Sequence, residues 1–333
     1  MKILVLTTSY PRSADDAAGT FVRDEVEHLR ASGIDVRVVS PASFPHFGIA
    51  YGDGIPGNLR RSPWKTLLLP LFLLSFAVAA RRAARDVDLV HAHWLPSSLP
   101  ALATGRPFVV QPWGSDVELA RRAPWAFRWL VQRARLVVAA SQDLATVVPN
   151  APRYLVPNGV DIPDTVDEPE EPPHVLYVGR LSEEKGVREL AEATSGMRRV
   201  IVGDGPLRYL FPDAVGFVSP RELGAYYERA AVVVCPSRRE GYGVVAREAM
   251  AYGRPVVATA VGGLTEAIED GVTGVVVPPR DAAALRAAIE LLLGDPDLRA
   301  RCGAAARDMA REEWSWDVAV ERLRGIYERA IGS

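Results

Sequence analysis

The 333-residue sequence contains few cysteines and few lysines. Cys235 and Cys302 are the only cysteines and lack the spacing of metal ligands, which excludes a disulfide framework and gives no indication of a zinc site. The charges nearly balance, with a net charge of -2, so we do not expect nucleic acid as a partner. This composition is typical of a reducing compartment, and we expect a cytoplasmic protein.

Long hydrophobic runs are also missing. The apolar residues 3–6 are too few for the core of a secretory signal. The longest apolar run, residues 66–80, contains Pro70 and is shorter than the roughly 20 residues that cross a bilayer. The sequence therefore predicts neither export nor a membrane span.

Short β-branched runs alternate with helical patterns along most of the chain, as in parallel α/β sheets. The chain is more than twice as long as a usual domain of about 100–150 residues, and a proline- and acid-rich stretch interrupts the pattern. We therefore predict an α/β protein of two doubly wound domains. The predicted parts are an N-terminal domain over 1–157, a linker over 158–173, a C-terminal domain over 174–315, and a last helix over 316–333 that could pack back on the first domain.

The carboxyl ends of the strands are where open α/β sheets bind ligands. The first predicted strand is not followed by G-x-G-x-x-G or by a Walker signature, which argues against the common dinucleotide and triphosphate sites. Gly19 and Thr20, at the start of the next helix, could bind phosphate through backbone N–H groups. A plain helix cap by Thr20 is the alternative.

The turn over 179–186 carries two cations, Arg180 and Lys185, after the first strand of the second domain. Together a guanidinium and an ammonium group can neutralise a diphosphate leaving group. Only three of the 39 basic residues are lysines, so a lysine at this position suggests a need for ammonium. The alternative is a solvated helix start formed by Glu183, Glu184 and Lys185.

Two carboxylates, Glu240 and Glu248, lie eight positions apart in a loop and the helix that follows it. Gly241 and Gly243 allow the loop backbone to approach a ligand closely. Carboxylates accept hydrogen bonds from sugar hydroxyls, while loop N–H groups and the positive helix end can bind phosphate. The alternative is a capped helix in which the carboxylates pair with Arg238, Arg239 or Arg247.

The E-x7-E pattern of Glu240 and Glu248 occurs here together with four other motifs in a fixed order. These are the turn 179–186, Pro157-Asn158-Gly159-Val160-Asp161, Gly203-Asp204-Gly205 and Gly253-x-Pro255-Val256-Val257. In this order and spacing the sequence resembles the retaining glycosyltransferases of family 4 over almost its whole length. The resemblance implies the GT-B fold, in which two Rossmann-like domains face a cleft.

The resemblance also implies a donor and roles for the site residues. The donor would be a nucleotide-diphosphate sugar, used without a metal or other cofactor. Arg180 and Lys185 would bind its diphosphate, and Glu240 would bind the transferred sugar. The other implied donor contacts are Glu248 to the ribose, Phe217 and Val218 to the base, and Gly241, Tyr242, Gly243 and Val244 to phosphate and sugar.

His93 and Asp116 are the catalytic candidates of the first domain. His93 ends a predicted strand that would face the cleft, with a purely structural histidine as the alternative. Many relatives have a cleft histidine where this chain has Trp113, which puts any role of that histidine in doubt. Asp116 could bind the acceptor or relay a proton, or it could cap a helix over 117–120.

Residues 60–85 combine a strongly apolar run with cations at both ends. Such a segment could lie in the interface of an anionic membrane, and a core helix of the sheet is the alternative. The cations are Arg60, Arg61 and Lys65 before the run and Arg81, Arg82 and Arg85 after it.

These observations together predict a retaining hexosyltransferase that moves a sugar to a hydroxyl acceptor in cell-surface glycan or glycolipid synthesis. Contact through 60–85 would make it peripheral at the inner face of the cell membrane, with a lipid-linked acceptor. A nucleotide-sugar 2-epimerase and a non-catalytic nucleotide-sugar binding module are the alternatives. An epimerase would convert the nucleotide sugar without an acceptor, and a binding module would bind it without turnover.

Overall fold

The computed structural model describes residues 1–13, 16, 18–52, 54–114, 116, 123–146 and 153–332. The chain divides into two compact units. One consists of Met1–Ala140, Leu144–Asn158 and Ala319–Ser333, and the other of Ser141–Asp143 and Gly159–Val318. Most of the stretch expected as a linker, 158–173, is thus grouped with the second unit, and the chain returns to the first unit at Ala319.

The first unit is built on a parallel sheet whose described strands follow the order β2-β1-β3-β4-β5-β6. In its register Ile3 pairs with Val36 on one side and with Leu89 on the other. The strands are β1 Lys2–Leu6, β2 Asp35–Val39, β3 Leu89–His93, β4 Phe108–Gln111, β5 Leu136–Ala139 and β6 Arg153–Leu155. Buried apolar and β-branched residues explain why the sequence pattern located β1 to β5, whereas β6, with Arg153 and Leu155 exposed, was not predicted.

Helices cover both faces of this sheet. Val320 and Tyr327 of the last helix pack in the same core as Ile3 and Val5 of β1, so the end of the chain belongs to this unit. The helices are Thr20–Ala31, Gly54–Arg61, Leu69–Ala83, Ser98–Ala103, Pro124–Val131, Gln142–Ala145 and Trp316–Gly332, with short 3-10 turns at Pro41–Ser43, Pro63–Leu68 and Leu95–Ser97.

The second unit is also a parallel sheet, with the described strands in the order β11-β10-β9-β7-β8. The strands are β7 Val175–Val178, β8 Arg199–Val202, β9 Val232–Cys235, β10 Val256–Thr259 and β11 Gly274–Val277. The helices are Val187–Ala193, Leu223–Arg229, Val244–Ala251, Leu264–Ala267, Ala282–Gly294 and Pro296–Trp314, with 3-10 turns at Glu183–Lys185 and Arg208–Leu210. The prediction of two doubly wound α/β sheets is confirmed.

Each sheet contains a topological switch, where successive connections leave in opposite directions. The switch lies between β1 and β3 in the first sheet and between β7 and β9 in the second. Open α/β sheets bind ligands beyond the carboxyl ends of the strands at this point. The loops after β7 and β9 are therefore the place to examine in the second unit.

The apolar segment is longer in the structure than the run counted in the sequence. Helical structure extends over Pro63–Ala83, 21 residues whose most apolar 18-residue window has a mean hydropathy of 1.6, and by length and composition alone it could cross a membrane. The apolar run over 66–80 is shorter than this helical segment, because the segment also includes the basic residues Lys65, Arg81 and Arg82 at its ends. However, Phe72, Phe76 and Ala80 are buried in the same core as Leu4 of β1, so one face of the segment belongs to the fold.

Candidate active site

The turn after β7 and the loop after β9 touch each other at the switch point of the second sheet. Gly186 ends the 3-10 turn Glu183–Lys185 with a φ of 66°, a left-handed conformation that glycine tolerates best. A Cβ at this position would lie 1.8 Å from the carbonyl oxygen of Pro236. Glycine is therefore required here for the two loops to approach.

Lys185 and Glu240 form an ion pair across this approach. The Lys185 Nζ lies 2.6 Å from Glu240 Oε2, and the side chains are 30% and 20% exposed. Glu183, by contrast, pairs with Arg188 and Arg238. The structure thus brings together two residues that the sequence predicted for the site. Lys185 contacts Glu240 across the two loops, which a merely solvated helix start would not require.

Arg180 lies in the same turn with its backbone fixed and its side chain exposed. Its carbonyl oxygen accepts a hydrogen bond of 2.9 Å from the hydroxyl of Tyr177, and burial raises the pKa of that phenol. Within the described ranges no carboxylate lies within 4.0 Å of the Arg180 guanidinium. Its charge is thus available to an anionic ligand.

Glu248 lies on the helix Val244–Ala251, which begins after Gly243 without a side-chain cap. Its Oε2 accepts a hydrogen bond of 2.6 Å from the hydroxyl of Tyr227. Burial, and after it the negative charge of Glu248, raises the pKa of Tyr227 well above its ordinary value, so this phenol stays protonated and donates. Tyr227 therefore fixes the orientation of the second carboxylate of the E-x7-E motif.

The nearby arginines have other partners than these carboxylates. Arg238 binds Glu189 at 2.7 Å. Arg247 is buried, donates to the carbonyl oxygen of Tyr242, and packs over the rings of Tyr242 and Trp314. The interpretation that Arg238 or Arg247 pairs with Glu240 and Glu248 is therefore wrong.

Sequence reasoning missed Gly262 and Gly263, which pack against the backbone of the Glu240 loop. A Cβ on Gly262 would lie 1.9 Å from the Glu240 carbonyl oxygen, and the Gly263 N–H donates to the same oxygen at 3.1 Å. The signal was a pair of glycines shortly after β10, at the same edge of the sheet. With them, loops after three neighbouring strands contribute to the site.

Phe217 and Val218 lie next to the end of β8. The Gly203 N–H donates to the carbonyl oxygen of Gly216 at 2.7 Å, which places this segment beside Gly203-Asp204-Gly205. The Phe217 ring is 59% exposed. The predicted base-binding residues are thus at the same edge of the sheet as Arg180.

In the first unit, Gly19 rather than Thr20 precedes the helix Thr20–Ala31. The helix has no side-chain cap, so the alternative of a cap by Thr20 is wrong. Gly19 therefore stays the candidate for phosphate binding in this unit.

His93 is fully buried and both of its ring nitrogens face protein groups. The Trp113 indole N–H donates to Nδ1 at 3.3 Å, and Nε2 lies 3.2 Å from Oε1 of Glu25. Because an indole only donates, Nδ1 must accept and Nε2 carries the proton. Nε2 lies close to Glu25 without a hydrogen bond among the described residues. His93 is therefore placed to hold Trp113, and the predicted substrate contact is corrected to a positioning role.

His91 extends this buried network, with Nδ1 2.8 Å from the hydroxyl of Tyr327. Burial lowers the pKa of both histidines to about 3 and raises that of Glu25 to about 7, so both imidazoles are neutral near pH 7. Glu25, His91 and His93 have the composition of a metal site. The hydrogen bond from Trp113 argues against one, because a protonated Nε2 has no lone pair for a metal.

Asp116 is also buried. Its Oδ2 accepts hydrogen bonds from the backbone N–H groups of Trp113 at 2.9 Å and Leu95 at 3.2 Å. Burial raises its pKa to about 7, against the opposing effect of these two N–H groups. The carboxylate thus holds the Trp113 loop, and its role toward an acceptor or a proton stays a prediction. The helix predicted over 117–120 lies outside the described residues.

Comparisons with known proteins show which family the chain resembles. Residues 18–163 match the family model described as Glycosyltransferase Family 4, and residues 161–309 match that described as Glycosyl transferases group 1. A D-inositol 3-phosphate glycosyltransferase from Acidothermus cellulolyticus is 31% identical over 95% of this chain and 86% of its own length. A glycogen synthase from Mycobacterium tuberculosis is 28% identical over 98% of this chain and 94% of its own.

Solved structures are similar over the whole chain. Sucrose-phosphate synthase from Thermosynechococcus elongatus has a TM-score of 0.79 at 24% identity and covers 99% of both chains. HepE from Anabaena, in complex with UDP-glucose, has a TM-score of 0.74 at 20% identity and covers 98% of this chain and 99% of its own. Both confirm the predicted fold class. The chain belongs to the family 4 glycosyltransferases and is a glycosyltransferase with the GT-B fold.

Proposed function

We propose that this glycosyltransferase moves a hexose from a nucleotide-diphosphate sugar to a hydroxyl acceptor with retention of the anomeric configuration. The observation that carries the proposal is the ion pair of Lys185 and Glu240 at the switch point. The same turn carries Arg180, whose guanidinium has no carboxylate partner among the described residues. Cations for a diphosphate and a carboxylate for sugar hydroxyls thus lie within one pair of loops. The solved structure of HepE with UDP-glucose supports a donor of this class.

The chemistry expected of these residues is stabilisation of the leaving diphosphate. Arg180 and Lys185 would bind its oxygens, together with the first-turn N–H groups of the helix Val244–Ala251, which no side chain caps. Because these groups supply positive charge directly, we propose that no metal or other cofactor is needed. Glu240 would exchange its contact with Lys185 for a sugar hydroxyl when the donor binds.

The proposed retention needs no covalent intermediate on Glu240. This carboxylate is assigned to a sugar hydroxyl, not to the anomeric carbon, so we do not propose it as the nucleophile. Attack on the face from which the diphosphate leaves, with a donor phosphate oxygen taking the acceptor proton, is the mechanism that we propose.

Binding of nucleoside diphosphates tests the assignment. Hydrogen bonds to charged groups contribute about 1.5–3 kcal/mol, so Arg180→Gln and Lys185→Gln should each weaken binding about 10- to 100-fold in titration calorimetry. Arg301→Gln, an exposed arginine on the helix Pro296–Trp314, is the matched control. Unchanged affinity in both site variants would contradict the proposed diphosphate site.

Incubation with a panel of nucleotide sugars, with and without hydroxyl acceptors, separates the proposed activity from its alternatives. Transfer requires the acceptor, epimerisation does not, and a binding module shows neither reaction. Analysis of the product by NMR gives its anomeric configuration, and an inverted product would contradict retention.

We further propose that the acceptor is lipid-linked and that the enzyme is peripheral at the cytoplasmic face of the cell membrane. The support is the helical segment Pro63–Ala83, which keeps large apolar side chains exposed although one of its faces is buried. Higher turnover of a lipid-linked acceptor than of its water-soluble head group is the expected result. Equal turnover of both would contradict the proposal.

A further inference from the structure

The exposed face of the segment Pro63–Ala83 is a regular apolar stripe. Its members are spaced three and four residues apart, the period of one helix face, so they lie on one side over about 20 Å. Leu67 is 81% exposed and Leu74 is 60% exposed. The complete stripe consists of Trp64, Leu67, Leu71, Leu74 and Val78.

A recess rich in arginine adjoins the end of this stripe. Val78, the last member of the stripe, also lines the recess, so the two features are continuous. The other lining residues are Arg81, Arg82, Ala84, Arg85, Thr104 and Arg106. This arginine recess therefore combines four guanidinium groups and a hydroxyl with an apolar border.

The charges of the arginine recess are not neutralised by the protein. For the four guanidinium groups, no carboxylate among the described residues lies within 4.0 Å. The nearest acidic residue along the chain, Asp86, already binds Arg37 with contacts of 2.5 and 2.8 Å. The recess therefore presents unbalanced positive charge to solvent.

Part of the recess is held in place by the backbone. Arg81 donates to the carbonyl oxygen of Ala103 at 2.9 Å, and Arg106 donates to that of Ala84 at 3.1 Å. The negative end of the helix Leu69–Ala83 favours cations in its last turn, which accounts for Arg81 and Arg82. It does not account for Arg85 and Arg106, which lie beyond the helix.

We infer that the arginine recess binds the phosphate of an anionic phospholipid while the apolar stripe lies in the adjoining interface of the bilayer. Guanidinium groups match phosphate oxygens in geometry and charge, and exposed apolar side chains gain free energy when they leave water. The inference rests on the proposed peripheral membrane location and specifies its lipid partner.

Flotation of the full chain with vesicles at low salt tests the inference. We expect binding to phosphatidylcholine vesicles that contain phosphatidylglycerol and little binding to phosphatidylcholine alone. The paired variant Arg82→Gln with Arg85→Gln removes two cations that make no described side-chain hydrogen bond. Each basic residue near an anionic bilayer changes partitioning about fivefold, so the two changes together should weaken partitioning about 30-fold.

Matched controls separate this effect from net charge and from folding. Arg301→Gln with Arg311→Gln removes the same charge from exposed positions of the second unit and should leave flotation unchanged. Leu67→Ser with Leu74→Ser should reduce flotation, while Leu291→Ser, an exposed leucine elsewhere, should not. Nucleoside diphosphate binding should persist in every variant, because none of these residues belongs to the donor site.

Four outcomes would overturn the inference. Equal flotation of wild type and the recess variant overturns the recess while leaving membrane contact intact. No flotation of the wild type overturns both the recess and the peripheral location. Binding of inorganic phosphate that depends on Arg82 and Arg85, without flotation, identifies a soluble phosphate ligand instead. A dimer in sedimentation that dissociates with Leu67→Ser identifies the stripe as a contact between two copies of the chain.

Discussion

Glu25 lies buried beside His91 and His93, where its carboxylate has no contact with solvent. Burial raises its pKa from an ordinary value of 4.5 to about 7. The unfolded chain therefore loses this proton near pH 4.5 and the folded chain only near pH 7. Between these values the folded state binds more protons, so the free energy of unfolding falls as the pH rises.

The size of this loss follows from the shift itself. One pKa unit corresponds to about 1.4 kcal/mol, so the shift of Glu25 amounts to about 3 kcal/mol above pH 7. Glu25→Gln removes the ionisable carboxyl group and with it this dependence of stability on pH. The lowered pKa values of His91 and His93 have the opposite effect, with stability lost as the pH falls below 6.5. Both proteins retain these histidines, so their contribution largely cancels in the difference.

Urea unfolding at several pH values between 5 and 8 measures the difference directly. The Glu25→Gln variant should gain stability relative to wild type as the pH rises, by up to about 3 kcal/mol. Glu27→Gln is the matched control, because Glu27 lies on the same helix with its side chain 63% exposed. If both variants show the same pH profile, Glu25 ionises normally and the reasoning about the buried network is refuted.

Three further results are expected. Glu240→Gln and Glu248→Gln should each lower kcat/KM at least about 10- to 100-fold without lowering Tm, since each loses a charged acceptor for sugar hydroxyls; normal turnover in either variant would remove that residue from the site. Gly186→Ala should lower the free energy of unfolding by more than about 3 kcal/mol, because its Cβ would meet the Pro236 carbonyl oxygen. The control Gly196→Ala also lies at a positive φ but has open space around it, so it should lower the free energy of unfolding by only about 1 kcal/mol. Chelation of divalent cations should leave turnover unchanged, and a loss restored by added metal would contradict the mechanism that relies on Arg180 and Lys185.

The two sheets could be predicted from sequence because buried parallel strands have a local signal. Residues 3–7 and 36–40 are β-branched runs with little polar interruption, and the structure has β1 Lys2–Leu6 and β2 Asp35–Val39 there. The loops after β7 and β9 could be found for a related reason. Their glycines, cations and carboxylates follow strand ends directly, so chain order alone places them at one edge of the sheet.

The pairing of individual side chains could not be predicted in this way. Lys185 and Glu240 are separated by 55 positions, and His91 meets Tyr327 across 236 positions. Whether His93 faces a ligand or a buried carboxylate depends on Glu25, which lies on a different element. The sequence pattern of residues 60–85 likewise fits a core helix and a membrane-facing one, because only packing decides which of its apolar side chains remain exposed.

Trp113 stands where the resemblance to family 4 implies a histidine, and this affects the chemistry that the first unit can supply at the end of β4. An imidazole there could exchange a proton, whereas the Trp113 indole can only donate, and it donates to His93. The indole is 6% exposed and packs against Phe21 with ring centroids 4.3 Å apart. Asp116 lies close by, and its Oδ2 accepts hydrogen bonds from the backbone N–H groups of Trp113 and Leu95. The Trp113 side chain therefore supplies no proton transfer, and the proposed mechanism takes the acceptor proton with the donor phosphate instead.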